Sequence, residues 1–337
     1  MELAERIRAF TLLGNKLDHL SSEDRAEICD QASYLNPWFV RESIELSLKG
    51  ISWFMKEENL IRWVSSYNLS VEKNKKVGIA MAGNIPLVGF HDYLSVLTSG
   101  NEVVIKLSSQ DSYLLPKINS WLIEIEPGFA NKIHFEERLN NVDVIIATGS
   151  DNTARYFEYY FRNIPHIIRK NRSSVAILMG EEDSTHLTEL GKDVFSYFGL
   201  GCRNISKFFV PEGYEFIKLL DSWECYKEII NHHKYANNYD YQKSILLVNK
   251  IPHLDNGFVL ITQNEQLVSP ISVVYFETYT TQSDLKRKIK IQKDKIQCIV
   301  SANGWFDESV PFGKAQFPEL SDYADGTDTL KFLSEIK

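Results

Sequence analysis

The chain has 337 residues, 44% hydrophobic and 24% charged, with a formal net charge of −8. That length can hold two domains with cores of their own, and the acidic balance excludes a general binder of nucleic acid or anionic membrane, which needs basic surface. Four cysteines (Cys29, Cys202, Cys225 and Cys298) lie far apart with no C-x-x-C spacing, which argues against a disulfide framework or zinc site and for a reducing compartment. There is no run of about 18 apolar residues, so no integral membrane segment is expected. The opening MELAERIRAFTLLG is amphipathic and lacks the apolar centre of a signal peptide. A cytoplasmic location is the expectation.

Residues 1 to about 70 read as helices. Leu3, Ile7, Phe10 and Leu13 recur at helical spacing, Ser21 precedes a second helix that Asn36-Pro37 ends, and Glu42 to Ser65 carries a long apolar stripe. From Lys76 the pattern changes to short apolar runs alternating with helices. The predicted strands are 76–82, 102–107, 132–135 and 142–147, and the helices between and after them are 89–99, 112–125 and 152–161. Arg169-Lys170-Asn171-Arg172 reads as a basic turn. A second alternating unit follows: a strand at 174–179, a helix at 183–198, and strands at 206–210, 244–249, 271–277 and 296–301. Such alternation predicts an α/β fold with open, largely parallel sheets, whose ligands bind at the carboxyl ends of the strands. Asn84, Lys106, Ser108, Gly149 and Ser150 all fall at or just past such an end.

The stretch DVFSYFGLGCRNISKFFVP, from Asp193 to Pro211, places Cys202 in a tight loop with Gly199 and Gly201. Glycines there let the backbone turn sharply and approach a ligand. A loop cysteine beside Arg203 can have a lowered pKa and attack as thiolate, although a lone cysteine is ordinarily a small apolar filler. Asn84 can donate to an oxyanion or be a turn asparagine. Gly149-Ser150 can receive an anion or cap a helix, and Lys106 can meet a ribose or phosphate or mark a strand end. No G-x-G-x-x-G is present. His91 and His166 are candidates for a proton relay, with satisfied structural histidines as the plainer reading. Arg169, Lys170 and Arg172 can meet phosphates or form a solvated turn.

In order, these segments resemble the aldehyde dehydrogenase superfamily. GNIPLVGFHDYLSVLTSGN, ATGSDNTARYFEYYF, PHIIRKNRSS and FGLGCRN are similar to the bacterial acyl-CoA reductases of the LuxC type, over roughly residues 75 to 320. The resemblance implies two Rossmann-like open-sheet domains with a helical N-terminal region. The expected division is a helical region at 1–75, a nicotinamide-cofactor-binding domain at 76–172, a catalytic domain at 173–310 and a C-terminal segment at 311–337. Cys202 would accept the acyl group as a thioester, and Asn84 with the Cys202 N–H would form the oxyanion hole. Lys106, Ser108 and Ser109 would contact the adenine-side ribose, and Gly149 with Ser150 the pyrophosphate region.

Three departures from the superfamily pattern matter. Hydrolytic members place a glutamate before Gly-Gly-Lys to activate water, where this chain has Arg169-Lys170-Asn171-Arg172-Ser173-Ser174. Ser109 stands where NAD-preferring members have a ribose-binding glutamate, which points to NADPH, with NADH as the alternative. Gln266 replaces the glutamate that contacts the nicotinamide ribose. The expected activity is NAD(P)H-dependent reduction of a long-chain fatty acyl-CoA, or acyl-carrier substrate, to the aldehyde, without a metal. A CoA-acylating aldehyde dehydrogenase on shorter aldehydes, a cysteine acyltransferase or hydrolase, and a non-catalytic nucleotide-binding protein are the rivals. A homo-oligomer is expected, and an acyl-protein synthetase-like partner is admitted.

Overall fold

The computed structural model describes residues 1–69 and 74–336. Residues 70–73, the end of the expected N-terminal helical region, lie outside the described residues. The chain forms two compact units, Met1–Asn171 with Glu319–Lys337, and Arg172–Pro318.

The first unit opens with helices α1 (Leu3–Asp18), α2 (Ser22–Leu35), α3 (Arg41–Phe54) and α4 (Glu57–Val64). The predicted stripe from Glu42 to Ser65 is thus two helices. The break falls at Met55-Lys56, where Met55 turns inward as a fully buried side chain. Next come β1 (Lys76–Ala80), α5 (Phe90–Thr98), β2 (Glu102–Lys106), α6 (Leu114–Ile125), β3 (Ile133–Phe135), β4 (Val144–Thr148), α7 (Asp151–Tyr160) and β5 (His166–Arg169). The strands make a five-stranded parallel sheet of order β3-β2-β1-β4-β5. Because β1 is flanked by β2 and β4, the strand order reverses there, and such a switch opens a crevice at the carboxyl edge.

One core cluster joins Phe10, Leu13 and Leu17 of α1 to Val77, Ile79, Val103 and Ile105 of the sheet, so the N-terminal helices cover one sheet face. A smaller cluster of Ala80, Val104, Ile145 and Ala147 meets Phe157 and Phe161. Burial on both faces explains why the strands read as continuous apolar runs rather than alternating ones. The C-terminal tail returns to this unit through polar contacts. The Trp63 indole N–H donates to Tyr323 Oη at 2.7 Å, and Tyr67 donates to Asp328 at 2.9 Å. His91 Nε2 bonds the Leu320 carbonyl at 2.9 Å among the rings of Phe54, Trp63 and Tyr323. His91 is therefore a satisfied core histidine, whose pKa burial pushes down.

One expectation fails nearby. Arg169 belongs to β5, not to a solvated turn. It is 4% exposed, and its guanidinium donates to Asp92 at 2.5 Å and to Thr329 at 2.8 Å. A short, β-branched run ending in arginine carries too little signal to separate a strand end from a turn.

The second unit contains β6 (Ser173–Ile177), α8 (Ser184–Phe195), β7 (Ile205–Pro211), α9 (Ile217–Ser222), α10 (His233–Val248), β8 (His253–Asp255), β9 (Leu260–Gln263), β10 (Val273–Tyr279), α11 (Gln282–Gln292), β11 (Ile296–Ser301) and β12 (Val310–Pro311). They build a seven-stranded sheet of order β12-β11-β6-β7-β10-β9-β8, parallel except for the β8–β9 pair. The strand expected at 244–249 is the end of α10. Its apolar run is ambiguous by itself, but Tyr235, Tyr239 and Leu246 bury one helical face. Among the described residues no helix is long and apolar enough to cross a membrane.

Candidate active site

In the first unit the register sets Ala80 opposite Lys106 and opposite Ala147, so β1, β2 and β4 end level with one another. Asn84, Lys106, Ser108, Gly149 and Ser150 thus share the carboxyl edge of one sheet. Asn84 is half-buried in the turn after β1. A Cβ at Gly83 would lie 2.5 Å from Ser108 Oγ, so only glycine lets this turn rest on the chain beyond β2. The far end of the turn is fixed by Asp111, whose Oδ2 accepts the Leu87 N–H at 2.8 Å while Leu87 holds a positive φ of 58°. Asp111 Oδ1 has no hydrogen-bond partner among the described residues, and burial raises the pKa of the carboxyl. Sequence reasoning passed over Asp111; a carboxylate in an otherwise neutral SSQDS run was the available signal.

Lys106 and Ser109 are exposed, and the Ser108 hydroxyl accepts the Gln110 N–H at 3.2 Å. Ser150 is the N-cap of α7, accepting the Thr153 N–H at 3.2 Å. A Cβ at Gly149 would meet Thr153 Cβ at 2.8 Å. The capping reading of Gly149-Ser150 is therefore satisfied, and it is compatible with anion binding, since a capped N-terminus keeps its dipole and outward N–H groups. The edge offers one exposed ammonium, two serine hydroxyls and a helix N-terminus. That donor set fits a phosphate-bearing ligand such as a nicotinamide dinucleotide.

In the second unit the loop carrying Cys202 leaves α8 through residues in the left-handed region. Tyr197, Phe198 and Gly199 have φ of 52°, 57° and 78°. The helix expected to reach Phe198 therefore ends at Phe195. Left-handed backbone costs about 1 kcal/mol or more at a non-glycine residue, so neighbouring contacts must hold it. Asn204, 2% exposed, brackets this turn from both sides. Its amide donates to the carbonyls of Asp193 at 3.0 Å and Ser196 at 2.8 Å, and its Oδ1 accepts the Gly201 N–H at 2.8 Å. From β6, Ser174 donates to the Cys202 carbonyl at 2.9 Å. Cys202 itself is half-buried.

A second clamp ties this loop to Pro311–Gln316. The fully buried Asp193 carboxylate accepts the Gly313 N–H at 2.7 Å and the Ala315 N–H at 2.9 Å. Burial pushes its pKa up to about 7. Arg203 Nε donates to the Ala315 carbonyl, and Nη2 lies 3.6 Å from Cys298 Sγ. These bonds hold the guanidinium, still a cation, in the loop that carries Cys202. A shallow cleft beside the loop is lined by Phe198, Gly199, Ser206, Tyr235 and Ser269 among others. Gln266 is exposed, on the connection from β9 to β10.

No family model and no curated protein matches this sequence. Solved structures do. The chain is similar to an aldehyde dehydrogenase of Bacillus cereus in complex with NAD+, at 13% identity and a TM-score of 0.64 over 89% of this chain and 72% of that one. A P. syringae indole-3-acetaldehyde dehydrogenase, solved as a mutant with NAD+ and IAA, gives 12% identity and a TM-score of 0.67 over 92% and 74%. HpcC of Thermus thermophilus gives 13% and 0.63 over 89% and 70%. The fold of this chain is the aldehyde dehydrogenase fold.

Proposed function

We propose that this chain is an NAD(P)H-dependent reductase of acyl thioesters, long-chain fatty acyl-CoA or an acyl carrier, acting through an acyl-Cys202 intermediate. NADPH is the favoured cofactor. The observation that carries the reading is at Arg169. By the resemblance, Arg169 to Ser174 stands where hydrolytic aldehyde dehydrogenases carry the glutamate that activates water, and its first residue, Arg169, is locked to Asp92. A thioester without such a base resists hydrolysis and persists for reduction.

In the first half-reaction Cys202 loses its proton and its sulfur attacks the thioester carbonyl. A new C–S bond forms, the bond to CoA breaks, and the CoA sulfur leaves as thiolate to be protonated. We assign Asn84 and the Cys202 N–H to stabilising the oxyanion, the role the resemblance implies. The reduced nicotinamide, when bound, supplies a hydride, two electrons, to the carbonyl carbon. Cys202 then leaves as thiolate, releasing aldehyde; over the whole cycle one acyl-CoA, one NAD(P)H and one proton give aldehyde, CoA and NAD(P)+.

Lys106, Ser108 and Ser109 would bind the adenine-side ribose. Ser109 in place of a carboxylate leaves a 2′-phosphate facing hydroxyls and the Lys106 ammonium, which favours NADPH. Homo-oligomerisation and an acyl-protein synthetase-like partner remain part of the proposal. The test is an acyl-CoA chain-length series with NADH and NADPH in parallel, following aldehyde release. Fastest turnover with long acyl chains and NADPH supports the reading. Acid product, or thioester turnover that ignores the cofactor, overturns it.

A further inference from the structure

β7 leaves the cysteine loop and runs through the middle of the second sheet, buried on both faces, where an apolar strand is the rule. Lys207 breaks that rule at 0% exposure. Its ammonium donates to the Glu265 carbonyl at 2.8 Å and the Glu277 carboxylate at 2.5 Å, and lies 5.1 Å from the Phe209 ring centre. Glu277 keeps a second cation, Lys288, at 2.9 Å. Beside it Ser206 donates to the Leu267 carbonyl at 2.7 Å. In an unbroken strand neighbouring side chains point to opposite faces. Here the β6–β7 register shifts between Ser174 and Val175, from Ile205 to Lys207, making Ser206 an extra residue. Such a bulge re-aims side chains, and here both Ser206 and Lys207 reach the carbonyls of one loop. That loop is further shaped by Asn264, whose N–H donates to Phe276 and whose Oδ1 accepts the Gln266 N–H at 2.9 Å.

A fully buried lysine is costly unless it is paired and hydrogen-bonded, and Lys207 meets that need with Glu277 and with the backbone of the Asn264–Leu267 loop. We infer that Ser206 and Lys207 are positioning residues: they couple the strand leaving Cys202 to the Asn264–Leu267 loop and so fix the nicotinamide end of the cofactor for reduction of the acyl-enzyme. The cofactor part of this rests on the proposed function; the coupling itself does not.

The test uses the full chain as Lys207→Met, Lys207→Arg and Ser206→Ala. Lys207→Met leaves Glu277 paired with Lys288, so no buried charge is stranded, and Ser206→Ala serves if Lys207→Met fails to fold. Hydrogen exchange reads the loop, NADPH titration reads the cofactor, and acylation by labelled acyl-CoA without cofactor reads Cys202. In Lys207→Met the Glu265–Leu267 amides should exchange faster than in the parent, with β6 and β11 unchanged. NADPH binding should weaken about tenfold, the scale of one charge-assisted hydrogen bond. Acylation should stay within about twofold, and Lys207→Arg should recover part of the binding. Unchanged loop exchange in both Lys207→Met and Ser206→Ala overturns the coupling. A loosened loop with parental NADPH affinity overturns the cofactor role and leaves the proposed function standing. A parent chain that binds no NAD(P)H overturns that function and the cofactor role with it.

Discussion

Asn204 donates its side-chain amide to the backbone carbonyl of Asp193 at 3.0 Å, joining the strand side of the cysteine loop to the end of α8. The same side chain holds the Ser196 carbonyl and the Gly201 N–H, so one residue both closes the helix and fixes the peptide entering Cys202.

Replacing Asn204 by alanine removes these bonds and leaves buried carbonyls and an N–H without partners. Each stranded group costs about 1–3 kcal/mol, less where water enters. Asn204→Ala should lower stability by about 2–4 kcal/mol in urea unfolding and change the rate of Cys202 alkylation by iodoacetamide. Parental stability would show that the loop is held by something else.

Arg169 and Asp92 form a buried pair, and removing one member strands the other. Arg169→Met should cost about 3–5 kcal/mol, while the double change with Asp92→Leu should recover part of it. Equal losses in single and double variants would contradict the pairing. NADPH affinity of the folded fraction should stay at the parental value, because Arg169 faces Asp92 and Thr329 rather than a phosphate.

Two buried groups, Asp193 and His91, contribute to stability with opposite pH dependence. Burial raises Asp193 to about 7, with Glu189 adding to the shift and Arg203 and the Gly313 and Ala315 N–H groups opposing it. Unfolded, an aspartate titrates near 3.9. The folded state therefore holds the extra proton, and the stability it gives is full below about pH 4 and lost as pH rises through about 7. His91 has the opposite sign. Burial lowers it, opposed by Asp92 and Asp322 and reinforced by Arg169. Its stability is present above about 6.5 and declines as pH falls below that value. Urea unfolding across pH 5–8 should show Asp193→Asn removing a fall in stability as pH rises towards 7, and His91→Gln removing a fall as pH drops below about 6.5. Unaltered slopes would contradict both assignments.

Placing a carboxylate at Ser109 should set it against a 2′-phosphate. Ser109→Glu is expected to raise the KM for NADPH by about tenfold or more, with a much smaller change for NADH. Equal effects on both cofactors would remove Ser109 from the ribose site.

Much of this was legible in the sequence because parallel strands buried on both faces leave unbroken apolar runs: 76–80, 102–106 and 296–301 stand close to where the pattern put them. The fold class was legible for the same reason, and the segment order around Asn84, Lys106, Gly149 and Cys202 pointed to it independently. What escaped depended on partners distant in sequence. Arg169 looked like a turn because Asp92 and Thr329 are far along the chain. Lys207 hid inside an apolar strand because the carboxylate that permits it is Glu277. The 244–249 run read as strand because its helical face becomes visible only with Tyr235 and Tyr239. The left-handed turn at Tyr197-Phe198 has no glycine signal until Gly199, and nothing local to Asn204 marks it as the residue that holds the loop.

The most direct measurement is the intact mass of the protein after exposure to a long-chain acyl-CoA without nicotinamide. The account expects one acyl group on Cys202, stable in water over minutes, absent in Cys202→Ser, and released as aldehyde when NADPH is added. Undiminished labelling of Cys202→Ser, or release as free acid before any cofactor arrives, would contradict it.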